Sequence, residues 1–521
     1  MRVDAPSNYI VEIGVFGMKS LCEFTRNCGS EHDDVTTPGI VFLVRPVKVP
    51  SRGCLRNICR RVARSSYGAI LAILLAFVGF PEKASAIPAF AKKTGLRCSA
   101  CHEAWPKLNA FGQAFRDNGY QIGNERDSPI YASPLYWPAG VRYTPQWHRE
   151  RNSAEATNQS ATGVQPVSTQ GFDLSGIDLW FAGLLAKNIS FVVLPSSDEY
   201  ANFHLESGWV RFDNLMKSPW LNLKAGKFEL DTVVSEKRML TLSQVGGTYQ
   251  MYHFLPLIDP KASATTPVAA GETGVSTTGF GLGDNQLGLE LGGHSHNDYT
   301  RYTVSLLSSS DGSVNLPTSK GYDTYMDVSQ SVMVNRLGPQ TFGAFNYIGQ
   351  SPTRYLTQTP AGGGAPANIA GSGYGNRDFT RTGGYALLSA KKLDVVPMFM
   401  HATESADIAL GIPSNEATPK GVQNPSWNGR MLELYYTENL QFIVIARYED
   451  IRDSRQVFAS SISNFGDMDV ETIAVRWMPF MHSRAGLAIC PEYSKLHQIG
   501  ASATQTNQTL SSAFIGLDFA F

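Results

Sequence analysis

From about residue 139 onward the chain alternates apolar and polar residues with a period of two over strand-length segments. Leu440, Phe442, Val444, Ala446 and Tyr448 fall on one side of such a segment, and Gln441, Ile443, Ile445, Arg447 and Glu449 on the other. Leu432, Leu434 and Tyr436 stand opposite Met431, Glu433 and Tyr435, and Ile473, Val475 and Trp477 opposite Thr472, Ala474 and Arg476. Side chains alternate across an extended strand, so one face suits lipid or a core and the other a mixed interior. A soluble β-sandwich would carry such strands too, and the connections decide between the two. Tight links at Lys187–Asn188, Asn297–Asp298, Arg336 to Pro339, Lys391–Lys392, Thr437 to Asn439 and Pro479 to Ser483 alternate with long polar stretches at 150–171, 255–277, 350–380, 403–428, 450–467 and 496–509. Short turns on one side and long loops on the other are the habit of outer-membrane barrels. The rhythm predicts an all-β fold over 139–521, a transmembrane antiparallel β-barrel of about sixteen strands with both ends of the chain on the periplasmic side.

One stretch, Ala69 to Phe80, is continuously apolar, and it is too short to cross a bilayer as a helix. Arg52, Arg56, Arg60, Arg61 and Arg64 precede it and the small-residue run Ala84–Ser85–Ala86 follows, the three parts of a secretory signal. Residues 1–86 are therefore expected to be an N-terminal extension plus signal peptide with its apolar core at 69–80, and the mature chain to begin near Ile87. Residues 1–50 carry no export logic, so a translation start nearer Val62 is expected.

Composition narrows the class further. Charged residues are 17%, and 48 Gly, 21 Tyr and 27 Phe favour strands and turns over helices. A mean hydropathy of −0.15 excludes a bundle of transmembrane helices. A net charge of −1 offers no basic field, which excludes nucleic acid as a partner. Of seven cysteines, Cys22, Cys28, Cys54 and Cys59 precede the expected cleavage. Cys98, Cys101 and Cys490 remain, which is no disulfide framework.

Cys98 and Cys101 belong to the run Cys98–Ser99–Ala100–Cys101–His102. Two thiols at this spacing can bond the two vinyl-derived carbons of one haem, and the following histidine then reaches the iron as proximal ligand. A thioredoxin-like pair would need a βαβ setting, and a zinc site a second ligand pair; neither is present. The expected cofactor is one haem c, bound covalently through Cys98 and Cys101, with His102 on the iron. Beyond the motif Trp105, Leu108, Phe111 and Phe115 recur at helical spacing, predicting a helix opened by Pro106 and closed by Asn118–Gly119 whose aromatic face lies on the haem. Such a stripe in isolation is more often plain core.

The run Pro88, Phe90, Ala91, Thr94, Gly95, Cys98, Cys101, His102, Pro106, Leu108, Phe111, Gly112, Phe115, Gly119 and Tyr120 closely resembles the N-terminal signature of the fused monohaem cytochrome–porins. The terminal Ile515, Leu517, Phe519, Phe521 likewise resembles the closing strand by which bacterial barrel proteins are recognised for assembly. The resemblance implies an outer-membrane protein with a haem segment at 87–125, and an iron(II):cytochrome c oxidoreductase activity. Its partners would be an extracellular donor, iron(II), periplasmic c-type cytochromes, and outer-membrane lipid.

A haem segment of this length cannot bury a porphyrin unaided, so it is expected to plug the periplasmic mouth or the lumen of the barrel. Candidates for a second axial ligand are His148, His294, His296, Met398, Met400, His401 or a lysine, each with an ordinary packing or solvated reading. His294–Ser295–His296 lacks a third ligand for a separate metal site. Two classes of function remain: electron transfer, inward or outward, and a diffusion porin whose haem is structural or sensory.

Overall fold

The computed structural model describes residue 90 and residues 96–103, 107–122, 139–156, 164–197, 202–231, 282–283, 285–308, 322–354, 357–358, 367–368, 374–404, 426–455, 467–481, 485–498 and 507–520. The signal segment, the loop expected at 255–277 and most of the other long loops lie outside them.

Two short helices come first, α1 (Cys98–Cys101) and α2 (Ala110–Asp117). Then follow β1 (Ala139–Ala156), β2 (Val164–Ala186), β3 (Ile189–Ser197), β4 (Phe203–Phe212), β5 (Asn222–Phe228), β6 (Gln286–His294), β7 (Thr300–Ser308), β8 (Tyr322–Val334) and β9 (Gly338–Arg354). A small hairpin, β10 (Thr357–Gln358) with β11 (Ala367–Asn368), stands apart. The wall resumes with β12 (Tyr374–Ala390), β13 (Leu393–Glu404), β14 (Ser426–Asn439), β15 (Phe442–Arg455), β16 (Met468–Met481), β17 (Gly486–Gln498) and β18 (Gln508–Ala520). Each strand pairs antiparallel with its neighbours in chain order, and β18 pairs back onto β1, with Arg142 opposite Ala520 and Trp147 opposite Ile515. The result is a closed barrel of sixteen strands, an architecture that leaves no sheet edge unpaired.

The alternation read from the sequence is the alternation of the wall. On β15, Ile443, Ile445, Arg447 and Glu449 are buried on the inside, while Tyr448 is 43% exposed on the outside. Ile473 and Trp477 are exposed on β16, opposite buried Thr472, Ala474 and Arg476. The inner face is indeed mixed. It carries ion pairs such as Arg447 with Glu433 at 3.3 Å, and an apolar cluster containing Tyr325, Phe345, Tyr347, Phe379 and Trp427.

Several boundaries differ from expectation. Much of the stretch 150–171 is strand: β1 runs to Ala156 and β2 starts at Val164, with Arg151 opposite Ser168 and Glu155 opposite Gln165, and 157–163 lie outside the described residues. In a hairpin that outruns the apolar band, the backbone ladder needs no apolar alternation, so polar side chains hide the strands. The same happens within 350–380, where Arg354 pairs with Tyr374. The turn expected at Thr437 to Asn439 sits at Leu440–Gln441, and β16 runs through Pro479 to Met481. A turn the sequence did not announce joins β4 to β5 through a 3-10 turn at Leu215–Lys217.

Candidate functional site

Cys98 and Cys101 stand at the two ends of α1, and His102 follows directly. The chain then doubles back: the Glu103 amide donates to the Lys107 carbonyl at 2.9 Å, and His102 forms a β-bridge with Leu108. Asn109 ties the returning chain to the motif. Its amide nitrogen donates to the Cys101 carbonyl at 2.9 Å, its side-chain Nδ2 to the Ala100 carbonyl at 3.0 Å, and its Oδ1 accepts from the Gly112 amide at 2.9 Å. That last bond makes Asn109 the N-cap of α2. The helix therefore starts at Ala110, with Leu108 ahead of it, and not at Pro106, which with Trp105 lies outside the described residues. A Cβ at Gly112 would lie 2.1 Å from the Cys101 carbonyl oxygen, so only glycine allows α2 to rest on the motif's backbone. Phe115 is buried and meets Phe90 edge-on at 5.3 Å, and Phe90 stacks on Tyr120 at 4.5 Å. Phe111, expected on the same buried face, is 43% exposed.

This small body is seated in one end of the barrel. Apart from Asp231, which follows β5 at its other end, the wall residues that hold it lie near short turns. Arg301 on β7 clamps the Asp117 carboxylate with both guanidinium nitrogens, one at 2.8 Å, and Arg116 reaches Asp231 at 3.1 Å. Arg211 on β4 donates to the Arg116 carbonyl at 2.6 Å and pairs with Asp213 at 2.5 Å, while Asp213 also accepts from Ser190 at 2.7 Å. Asn214 donates to Asn118 at 3.3 Å, Gln121 to Asn188 at 3.4 Å, and Lys107 pairs with Asp394 on β13. Tyr120 stacks on Trp209 at 6.3 Å with Arg211 over its ring at 5.9 Å. Gly119, at φ +70°, closes α2 in the left-handed conformation, and a Cβ there would be 2.5 Å from the Asp213 carboxyl carbon.

Electrostatics hold the seat in one charge state. Burial alone would raise the Asp117 pKa, but Arg301 and Arg116 outweigh it and keep the carboxyl well below the usual carboxylate range. Burial would likewise lower Arg116, and Asp231 and Asp117 reverse that. Burial pushes the Tyr120 phenol up, against the opposing pull of Arg211, so it stays neutral.

The remaining candidates scatter. His148 is 3.9 Å from Glu150, His296 is exposed, and His401 bonds Asn428 at 2.8 Å on an exposed position. Met398 and Met400 are buried in the inner apolar cluster. His294 differs: its Nδ1 is 2.6 Å from Asp298 and 3.1 Å from the Ser295 carbonyl, while its Nε2 is buried with no hydrogen-bond partner. It lines a cavity between α2 and the wall together with Asp117, Arg211, Lys224 and Arg301. Among the described residues no group of three or more His, Cys, Asp and Glu could hold a metal ion. Arg211, Asp213, Arg301 and Asp394 carry no sequence signal for their roles, because their partners on the plug are up to 287 positions away. Of the tryptophans, Trp209 faces the plug, whereas Trp220 and Trp477 are 37% and 48% exposed.

No protein-family model matches the chain, and no curated protein is significantly similar to it. Among solved structures, an anion-selective porin from Comamonas acidovorans is 12% identical, with 74% of this chain and 99% of that one covered and a TM-score of 0.42. The outer membrane channel DcaP of Acinetobacter baumannii is 8% identical, with 73% and 96% covered and a TM-score of 0.40. OprB of Pseudomonas putida is 10% identical, with 73% and 94% covered and a TM-score of 0.41.

Proposed function

We propose that the chain is an outer-membrane electron carrier, in which one haem c is bound covalently by Cys98 and Cys101 and through its iron by His102, and is held in the periplasmic mouth of the barrel. The observation that carries this reading is the CxxCH run on a segment that the barrel wall grips through Asp117, Arg116 and Lys107. The donor set fits the group: two cysteine residues at the ends of one helical turn, with a histidine directly after them on a chain that doubles back and is fixed by Asn109. The exposed apolar residues of the outer wall and its ring closure support placement in a bilayer, where backbone groups must be satisfied within the protein.

When bound, the haem would supply a one-electron couple. The chain's residues then have separate tasks. Asn109 and Gly112 hold α2 against the attachment turn, and the ion pairs around Asp117 keep the segment from leaving the barrel. His294, whose Nδ1 is held by Asp298 and whose Nε2 is buried without a hydrogen-bond partner, is the wall residue whose imidazole would be free to bind the iron of the group. By the family resemblance the donor is extracellular iron(II) and the acceptors are periplasmic c-type cytochromes.

Replacing Cys98 and Cys101 together with Ala should abolish haem staining on a denaturing gel, because thioethers survive denaturation and axial bonds do not. Staining that persists refutes the reading. His294→Ala should leave the staining intact and change the low-spin spectrum, while His401→Ala changes neither. Mixing oxidised protein with iron(II) and following haem absorbance tests the donor. A haem that a mild reductant reduces but iron(II) does not would remove iron from the assignment.

A further inference from the structure

Four of the described turns at the plug end of the barrel each carry an exposed cation. Lys187, Lys217, Arg336 and Lys391 stand in the turns after β2, β4, β8 and β12, all exposed, and exposed Arg97 immediately precedes Cys98. None of these five makes an ion pair with a described residue. The acids nearby are engaged: Glu438 pairs with Lys392 at 2.9 Å, Asp298 is 2.6 Å from His294, Glu103 is 3.5 Å from Lys107, and Asp213 and Asp394 are held by Arg211 and Lys107. A chain of net charge −1 thus presents a cationic ring at one mouth.

The backbone adds an independent observation. Lys217, Arg336 and Lys391 sit at φ 60°, 71° and 57°, in the left-handed region where Gly or Asn is least strained. Asn188 and Asp298 fill the same kind of position at other turns of this barrel. Three long cations therefore occupy places that local preference would give to other residues.

We propose that this ring is the docking face for a soluble acidic protein that carries one electron, with carboxylates surrounding the edge of its cofactor. The proposal rests on the reading that 87–125 carries haem. Anionic lipid headgroups share the charge, but Arg97 belongs to the plug, whose wall contacts Asn188, Asp213, Asn214 and Asp394 place it inside the ring of turns, beyond the reach of a bilayer. A bound, reduced haem would give one electron to the oxidised centre of that protein and become oxidised itself, with no atom or proton exchanged.

The test uses the purified holoprotein in neutral detergent and two probes: a basic soluble cytochrome c, and the same cytochrome with its lysines succinylated so that it is acidic. The acidic probe should bind and should exchange electrons about tenfold faster than the basic one, with the advantage falling as salt rises. The triple variant K217E/R336E/K391E should reverse that preference while keeping covalent haem. Equal, salt-insensitive binding of both probes overturns the docking face. So does a triple variant that binds the probes as before and changes only insertion into phosphatidylglycerol vesicles. Binding of the acidic probe without any electron exchange, in protein that lacks covalent haem, would instead sink the haem reading and leave the docking face standing.

Discussion

At Asp117 burial and charge pull in opposite directions, and charge wins. Its side chain is 4% exposed and receives Arg301, Arg116 and Gln113 together. Removing one partner of such a buried pair costs about 3 kcal/mol, since the other charge is left uncompensated. Asp117→Asn should therefore loosen the plug, read as faster amide exchange over 110–121 with the barrel itself unchanged. The pH dependence has a definite sign. The docked carboxyl has a pKa below that of the undocked one, so the contribution is complete above the undocked value of about 4 and is lost as pH falls through the docked value. The difference in exchange between wild type and Asp117→Asn should be constant from about pH 7 to 5 and shrink below about pH 4.

Among the elements, α2 is the most exposed to single changes. Gly112→Ala puts a methyl group into the Cys101 carbonyl, which neither backbone can avoid without separating α2 from the motif. Much less covalent haem per barrel is expected, with normal barrel yield. Asn109→Ala removes the cap and should cost about 1 kcal/mol of helix stability, a milder loss in the same readout. These elements were only partly legible. Pro106 and Asn109 are both helix-start residues, and only the bond from the Gly112 amide chooses Asn109. The strands of 431–449 were legible because the two sides of the wall meet different surroundings, whereas Arg151 and Ser168 pair in a polar hairpin that has no such contrast. Motif residues Cys98, Cys101 and His102 are local in sequence, but the wall residues that seat them are not, since Arg301 is 184 positions from Asp117.

For the molecule as a whole, the seat of the plug implies a mouth that is narrowed by the chain's own N-terminal segment. Deleting 97–122 should raise single-channel conductance in planar bilayers well above that of the intact protein, and a conductance unchanged by the deletion would show that the segment does not obstruct ions. Ring closure predicts heat-modifiable mobility on detergent gels, as for other barrels without a free edge.

The pairing of β1 with β18 also orders events in time. The seat draws on β3, β4, β7 and β13, and these strands take their places around a common axis only when the last strand of the chain joins the first. The plug lies ahead of all of them in the chain and is synthesised first. Until closure it has no wall to lean on, and whatever is attached at Cys98 and Cys101 must be attached to a nascent, unseated segment. On the proposed function, loading of the haem would precede assembly, and a segment that failed to acquire its compact shape would meet the finished ring as a misfit. The barrel's last hydrogen bonds thereby serve as an inspection of its first folded residues.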